Sequence, residues 1–172
     1  MTLENFLTSP DTIMRQIMAE IDKGSVKGDL NSKLDECACL YSAVLALHNA
    51  QPSSDQDPTF QANMENKFGS IRYLQGRVME LAGNVDAQDY YSAAAQHFER
   101  AIEHCPDSAA AHLNLAQADS KRGLHEYATN SYEEALRIVG KIIDTPYKEA
   151  VVNKALNGLG YPTPDSPLQK AA

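Results

Sequence analysis

The stretch HFERAIEHCPDSAAAHLNLA (residues 97–116) places a proline between two segments of helical composition. The first segment ends at Cys105, because Pro106 has no backbone N–H to donate and disfavours a helical conformation in the residue before it. Asp107 is a residue type that caps helices, and the alanine-rich segment after it predicts a second helix to about Arg122. The junction therefore predicts two helices joined by a tight turn.

Helical patterns with similar stop signals fill the rest of the chain. At the N-terminus, apolar residues at helical spacing follow Ser9 and Pro10, which are typical of a helix start, and Gly24 ends the pattern. The predicted helices cover about residues 10–23, 32–49, 58–82, 91–105, 107–122, 125–139 and 145–157. No segment alternates apolar and polar residues as a half-buried strand does. We therefore predict an all-α chain of about seven helices.

The charge of the chain excludes several classes of partner. Its 172 residues are 43% hydrophobic and carry a formal net charge of −8 at pH 7. Binding to nucleic acid or to an anionic membrane requires clustered Lys and Arg, so both are disfavoured. The start, MTLENFLTSP, lacks a basic segment followed by a long apolar one, and no stretch approaches about 18 apolar residues. We expect a soluble, cytoplasmic protein without a signal peptide or membrane span.

Residues that commonly carry catalysis or bind metals are scattered. Cys37 and Cys39 stand two positions apart in a predicted helix, so their side chains point to nearly opposite faces. The five histidines are spread over four predicted helices, and there is no glycine-rich phosphate loop, HExxH motif or nucleophile elbow. We expect no catalytic activity, no metal and no cofactor, and we interpret the cysteines as thiols of a reducing compartment.

A 34-residue period relates two of the predicted helices. The residues that this shift aligns are Ala94 with Ala128, Phe98 with Tyr132, Ala101 with Ala135, and Ile102 with Leu136. Small residues let a neighbouring helix approach closely, and the aromatic ring fills the space beside them. A period of 34 with two helices per unit is the signature of tetratricopeptide repeats, and this chain resembles that family.

The resemblance covers about residues 69–140 as two repeats. In the second repeat, Leu115 and Ala116 stand where the family has Leu-Gly, whereas Asp119 departs from the expected aromatic residue. In the first, LQGRVMELAGN (residues 74–84) resembles a first helix and its turn, which requires about six extra residues at 85–90. We favour this insertion over an uninterrupted 34-residue register, because that register would place Gly83 inside a helix whereas Gly-Asn typically ends one.

Two repeats bury their apolar faces only against neighbours, so flanking helices must cover both ends. We assign residues 1–56 to N-terminal capping helices, which also fit a degenerate repeat, and residues 57–158 to the repeats with a C-terminal capping helix. Residues 159–172 contain three prolines and no apolar period, which predicts a flexible tail. The resemblance implies a short right-handed α-solenoid of antiparallel helix pairs.

The resemblance also implies a concave groove, lined by the first helix of each repeat, that holds a peptide segment. The residues at groove positions are Tyr73, Arg77, Glu80, Asn114, Gln117 and Lys121, and the last helix adds Lys148. Amides hydrogen-bond a ligand main chain and cations attract acidic segments. For Tyr73 the alternative of packing against the second helix stays open.

These features favour a non-enzymatic protein–protein interaction adaptor, either a monomer or a subunit of a complex. The alternatives are a structural subunit, an assembly factor or a secretion-type chaperone docked in a larger complex, the last by analogy of size, acidity and architecture. A clamp for the acidic C-terminus of a chaperone is not expected. Among the positions that form this clamp in the family, only Asn114 carries the matching residue. Tyr73 and Arg77 stand where that clamp has Lys and Asn.

Overall fold

The computed structural model describes residues 3–24, 29–50, 57–141 and 145–161, with the backbone alone for 3–9 and 145. The helices are α1 (Leu3–Asp22), α2 (Leu30–Asn49), α3 (Pro58–Leu81), α4 (Ala87–His104), α5 (Ala109–Arg122), α6 (His125–Val139) and α7 (Thr145–Gly158). These ranges contain no strand, and the prediction of an all-α chain with about seven helices is confirmed. The predicted loops at 25–28 and 51–56, and the predicted tail beyond Tyr161, lie outside the described residues.

Each helix packs against the next one in the chain, and the odd-numbered helices also contact one another in order. The contacts of this second kind join α1 to α3, α3 to α5, and α5 to α7. This is the packing of a helical repeat, in which each helix pair forms one unit and the first helices of successive units stand in a row. No described helix is both long and apolar enough to cross a membrane.

Two glycines of α3 lie directly beneath aromatic rings of α4. A Cβ atom added to Gly69 would lie 2.5 Å from the Phe98 ring, and one added to Gly76 would lie 2.7 Å from the Tyr91 ring. Gly69 precedes Gly76 in the chain, whereas Phe98, the ring above Gly69, follows Tyr91, the ring above Gly76. This opposite order shows that α3 and α4 run antiparallel. Since both rings are only 1% exposed, the close approach of α3 and α4 depends on glycine at both positions.

The turn after α3 confirms the predicted helix end at Gly83 and corrects the segment predicted after it. Gly83 has a φ of +71°, and the N–H of Asn84 donates to the carbonyl of Met79 at 2.9 Å, which closes the helix. However, α4 begins at Ala87 rather than at about residue 91. Five residues (82–86) form the turn, in which the Asn84 side chain accepts from the N–H of Asp86 at 3.0 Å. Most of the inserted residues therefore lengthen α4.

Two other predicted helix starts, those of α1 and α5, also differ from the structure. α1 begins at Leu3, so Pro10 lies inside the helix instead of at its first position. The missing N–H of a proline removes one helical hydrogen bond, and α1 continues through it, with the Pro10 carbonyl accepting from the Cys37 thiol of α2 at 3.7 Å. The alanine-rich α5 is capped by Ser108 rather than Asp107, because the Ser108 hydroxyl accepts from the N–H of Ala111 at 3.4 Å.

The apolar stripe of α1 divides between the core and the surface. Met14, Ile17 and Ile21 are buried in a cluster with residues of α2 and α3. Met18, which the sequence places in the same stripe, is 42% exposed. Its side chain lies on the side of the stack where the odd-numbered helices meet.

Candidate functional site

A groove runs along the row of odd-numbered helices. It consists of a polar recess of about 290 Å³ between α1 and α3, a neck of about 50 Å³, and an apolar recess of about 190 Å³ between α5 and α7. Met18 and Ser70 line both the polar recess and the neck, while Asn114 and Lys154 line both the neck and the apolar recess. The three spaces therefore form one concave surface to which α1, α3, α5 and α7 all contribute.

The neck is lined by five side chains with hydrogen-bonding groups and by three apolar ones, Met18, Leu74 and Phe98. Three of the predicted groove residues, Tyr73, Asn114 and Gln117, lie here beside Ser70. The side-chain amide of Asn114 donates to the Oδ1 of Asn66 at 2.9 Å. Within the described residues, the Nδ2 of Asn66 and the Oδ1 of Asn114 make no further hydrogen bond, so this pair retains one donor group and one acceptor.

The sequence left open whether Tyr73 lines the groove or packs against the second helix, and in the structure Tyr73 does both. It lines the neck, and its ring also packs on Tyr91 of α4, with the ring centroids 5.6 Å apart. Burial raises the pKa of the Tyr73 hydroxyl, although Arg77 acts in the opposite direction. The phenol is therefore protonated at neutral pH and retains a proton to donate.

The other three predicted groove residues, Arg77, Glu80 and Lys121, bind one another instead of lining a recess. The Nζ of Lys121 donates to both carboxylate oxygens of Glu80, at 2.9 and 2.8 Å, and the Tyr91 hydroxyl donates to the same carboxylate at 2.6 Å. Arg77 lies between two carboxylates, 4.0 Å from Glu80 and 3.8 Å from Asp22. We call these five residues the Glu80 cluster, and it joins α1, α3, α4 and α5.

Contacts within the Glu80 cluster shift the pKa values of Glu80 and Tyr91. Burial acts to raise the pKa of Glu80, but the hydrogen bonds from Lys121 and Tyr91 outweigh it and lower that pKa. Burial, followed by the hydrogen bond to Glu80, raises the pKa of Tyr91. Glu80 is thus ionised at neutral pH, and its charge offsets the cations beside it.

Asp11 of α1 lies in the polar recess between partners from two other helices. The Tyr41 hydroxyl donates to its carboxylate at 2.5 Å, and Lys67 forms an ion pair with it. Arg15 lines the same recess but has no ion pair within the described residues, and its Nε donates to the main-chain carbonyl of Asp11 at 3.3 Å. Arg15 therefore gives the recess an uncompensated positive charge.

The apolar recess lies between the last two odd-numbered helices. It is lined by Ala110, Leu113, Asn114, Tyr147, Ala150, Val151 and Lys154. α7 contributes Lys154 to this recess, whereas Lys148, which the resemblance assigns to the groove, is absent from the lining of the recess. Positions 147, 150, 151 and 154 share one helix face, from which position 148 is turned away. Lys154 is exposed and has no ion pair within the described residues.

Titratable side chains outside the groove make contacts between helices. The Nδ1 of His97 lies 2.8 Å from the carboxylate of Glu65, which also accepts from the Nε of Arg100 at 3.0 Å. Burial lowers the pKa of His97. Cys37 is buried and Cys39 is exposed, as expected for opposite helix faces. The described ranges contain no group of three or more His, Cys, Asp or Glu side chains placed to hold a metal ion.

No protein-family model, curated protein or solved structure matches this chain. Its resemblance to tetratricopeptide repeats therefore stays a hypothesis that rests on the 34-residue pattern. The function has to be inferred from the shape and chemistry of the groove.

Proposed function

We propose that this chain is a non-enzymatic interaction adaptor of the tetratricopeptide type, which holds a peptide segment of a partner protein in its groove. The observation that carries the proposal is the continuity of the groove from α1 to α7. Two recesses of about 290 and 190 Å³ joined by a neck of about 50 Å³ suit an elongated ligand. A compact small molecule fills a single pocket of about 300–1,000 Å³ more effectively.

The chemistry of the neck supports a ligand with a peptide main chain. Each residue of a peptide offers one N–H donor and one carbonyl acceptor, and both need partners when they leave water. Asn66 offers a donor and Asn114 an acceptor, and Gln117 adds a third side-chain amide. Such contacts give affinity that depends little on the ligand's side chains.

A docked subunit of a larger complex is the second candidate, and an apolar edge favours it. The large apolar residues exposed at the α3–α4 and α5–α6 turns are Leu81, Val85, Leu124 and Tyr127. The side chain of Gln88 donates to the Lys121 carbonyl at 3.1 Å, which holds the two turns side by side. Exposed apolar groups that adjoin one another are typical of an interaction surface.

The groove is tested by selecting binders to the full-length protein from a random peptide library displayed on phage, followed by affinity measurements on the enriched peptides. Ser70→Trp places an indole in the neck, and Ser42→Trp is its matched control. Both hydroxyls donate to the carbonyl four residues earlier at 2.8 Å, but Ser42 is exposed on α2. We expect Ser70→Trp to weaken peptide binding about tenfold or more, and Ser42→Trp to bind as wild type does.

The two candidate functions give different results in this experiment. An absence of enriched peptides, or equal binding by Ser70→Trp and wild type, would rule out the groove as a peptide site. Binding that survives Ser70→Trp but is lost in Tyr127→Ser would place the interface at the apolar edge. Far-UV circular dichroism of each variant checks that it is folded.

A further inference from the structure

The charged side chains of the groove are opposite in sign to the chain as a whole. Arg15, Lys67 and Lys154 line the groove together with a single carboxylate, Asp11, whereas the net charge of the chain is −8. Because Lys67 is paired with Asp11, the uncompensated cations are Arg15 and Lys154. A cleft with net positive charge and low-dielectric walls concentrates anionic ligands.

The apolar recess has room for one large side chain. Its volume of about 190 Å³ exceeds the ~150 Å³ of a cavity that binds benzene. Leu113 and Val151 form its buried wall, and Tyr147 and Ala150 form its exposed rim. The neck, at about 50 Å³, is too small for such a side chain. The larger recess between α1 and α3 is lined by the charged side chains of Asp11, Arg15 and Lys67, so the α5–α7 side is the one that suits a large apolar group.

From these two observations we infer that the groove binds an acidic peptide segment with one large apolar side chain, which occupies the recess between α5 and α7. The main chain then crosses the neck beside Lys154 and enters the polar recess beside Arg15. Carboxylates of the ligand meet these two cations. The inference rests on the proposed function and specifies which class of peptide the groove accepts.

The order of the contacts follows from which residues the recesses share. Lys154 lines both the apolar recess and the neck, and Arg15 lies beyond the neck. Both cations therefore lie on the same side of the seated apolar residue along the ligand. The ligand pattern is a large apolar residue with two or more acidic residues on one side of it.

The peptide library selection described above also tests this pattern, through matched charge reversals. Arg15→Glu and Lys154→Glu change the groove, and Lys33→Glu is the control, because Lys33 is exposed on α2 and has no ion pair within the described residues. We expect enriched peptides with the apolar–acidic pattern. Each groove reversal should weaken their binding about five- to tenfold at low salt, with a smaller difference at high salt, and Lys33→Glu should have no effect.

The apolar subsite is tested by Ala150→Gln, which places an amide at its rim. This variant should bind the enriched peptide less tightly than wild type does. It should bind as wild type does when the large apolar residue of the peptide is replaced by alanine, because the contact is then already absent.

The inference and the proposed function fail in different ways. Peptides that depend on Ser70 but show no acidic preference, no apolar position, or no response to the charge reversals would overturn the inference and leave the peptide-binding groove in place. Peptides that are insensitive to Ser70→Trp as well would overturn both.

Discussion

Replacing Gly69 with alanine tests the close contact between α3 and α4. The added Cβ would lie 2.5, 2.7 and 2.9 Å from three atoms of the Phe98 ring. Carbon atoms in ordinary contact are about 3.5–4.0 Å apart, so the ring or the helix has to move by roughly 1 Å. Phe98 is 1% exposed, so its ring is packed against neighbouring side chains.

Two effects of opposite sign set the magnitude of this change. Alanine stabilises the interior of a helix by about 1 kcal/mol relative to glycine. Forcing an extra carbon into a well-packed core costs about 1–3 kcal/mol, and contact with three atoms of a rigid ring places this site in the upper part of that range. We therefore expect Gly69→Ala to lower the free energy of unfolding by about 1–2 kcal/mol, which corresponds to a fall in Tm of roughly 2–8 °C.

Urea unfolding followed by far-UV circular dichroism measures this difference. Phe98→Leu is combined with Gly69→Ala in a double-mutant cycle, because the smaller side chain makes room for the added Cβ. The double variant should be more stable than the sum of the single effects implies, by about 0.5 kcal/mol or more. A gain in stability for Gly69→Ala, or strict additivity in the cycle, would refute the argument that the close approach of α3 and α4 requires the absence of a Cβ at position 69.

Two further changes test the charged contacts. Glu80→Gln removes the ion pair with Lys121 but keeps an acceptor for Tyr91, so we expect a loss of about 0.5–1 kcal/mol at neutral pH. Because folding lowers the pKa of Glu80, the contribution is present above its unfolded pKa and is lost as the pH falls through its folded pKa. The urea midpoints of the two proteins should therefore converge in acid, and a constant gap would contradict this. Arg122→Ala leaves the carboxylate of Asp119, which is 4% exposed, without its partner at 2.7 Å. We expect a loss of about 1–3 kcal/mol in the free energy of unfolding, which shrinks in acid because burial already raises the pKa of Asp119. A loss that is independent of pH would show that Arg122 acts through packing alone.

The helix boundaries that the sequence predicts well are those with local causes. α6 begins and ends where predicted, at His125 and Val139, and α3 begins at Pro58. Glycine and proline act on their own backbone, so their effect does not depend on the rest of the fold. The start of α1 was mispredicted because a Ser-Pro pair fits both a helix start and a helix interior. Local sequence does not distinguish these two cases.

The residues of the groove were predicted less completely, because a repeat register does not specify which side chains pair between helices. The register assigns Tyr73, Asn114 and Gln117 to one groove, and in the structure all three line the neck. It also assigns Lys121 to the groove, although Lys121 binds Glu80, which lies 41 positions earlier in the chain. Such a contact depends on how closely successive helix pairs approach, which a single sequence does not specify.

For the same reason, the sequence did not predict which side chains α1 and α7 contribute to the groove. Arg15 and Met18 are three positions apart and share a helix face, but the sequence indicates only that α1 is apolar and covers one end of the stack. In the structure these flanking helices supply Arg15 and Lys154, while Arg77 and Lys121, the two cations that the register assigns to the groove, are held in the Glu80 cluster. In the proposed function the helix pairs therefore provide the shape and the main-chain contacts, and α1 and α7 determine the charge of the ligand. Substitutions at these two exposed cations should then change ligand preference with little effect on stability, because neither cation supports a helix contact in the stack.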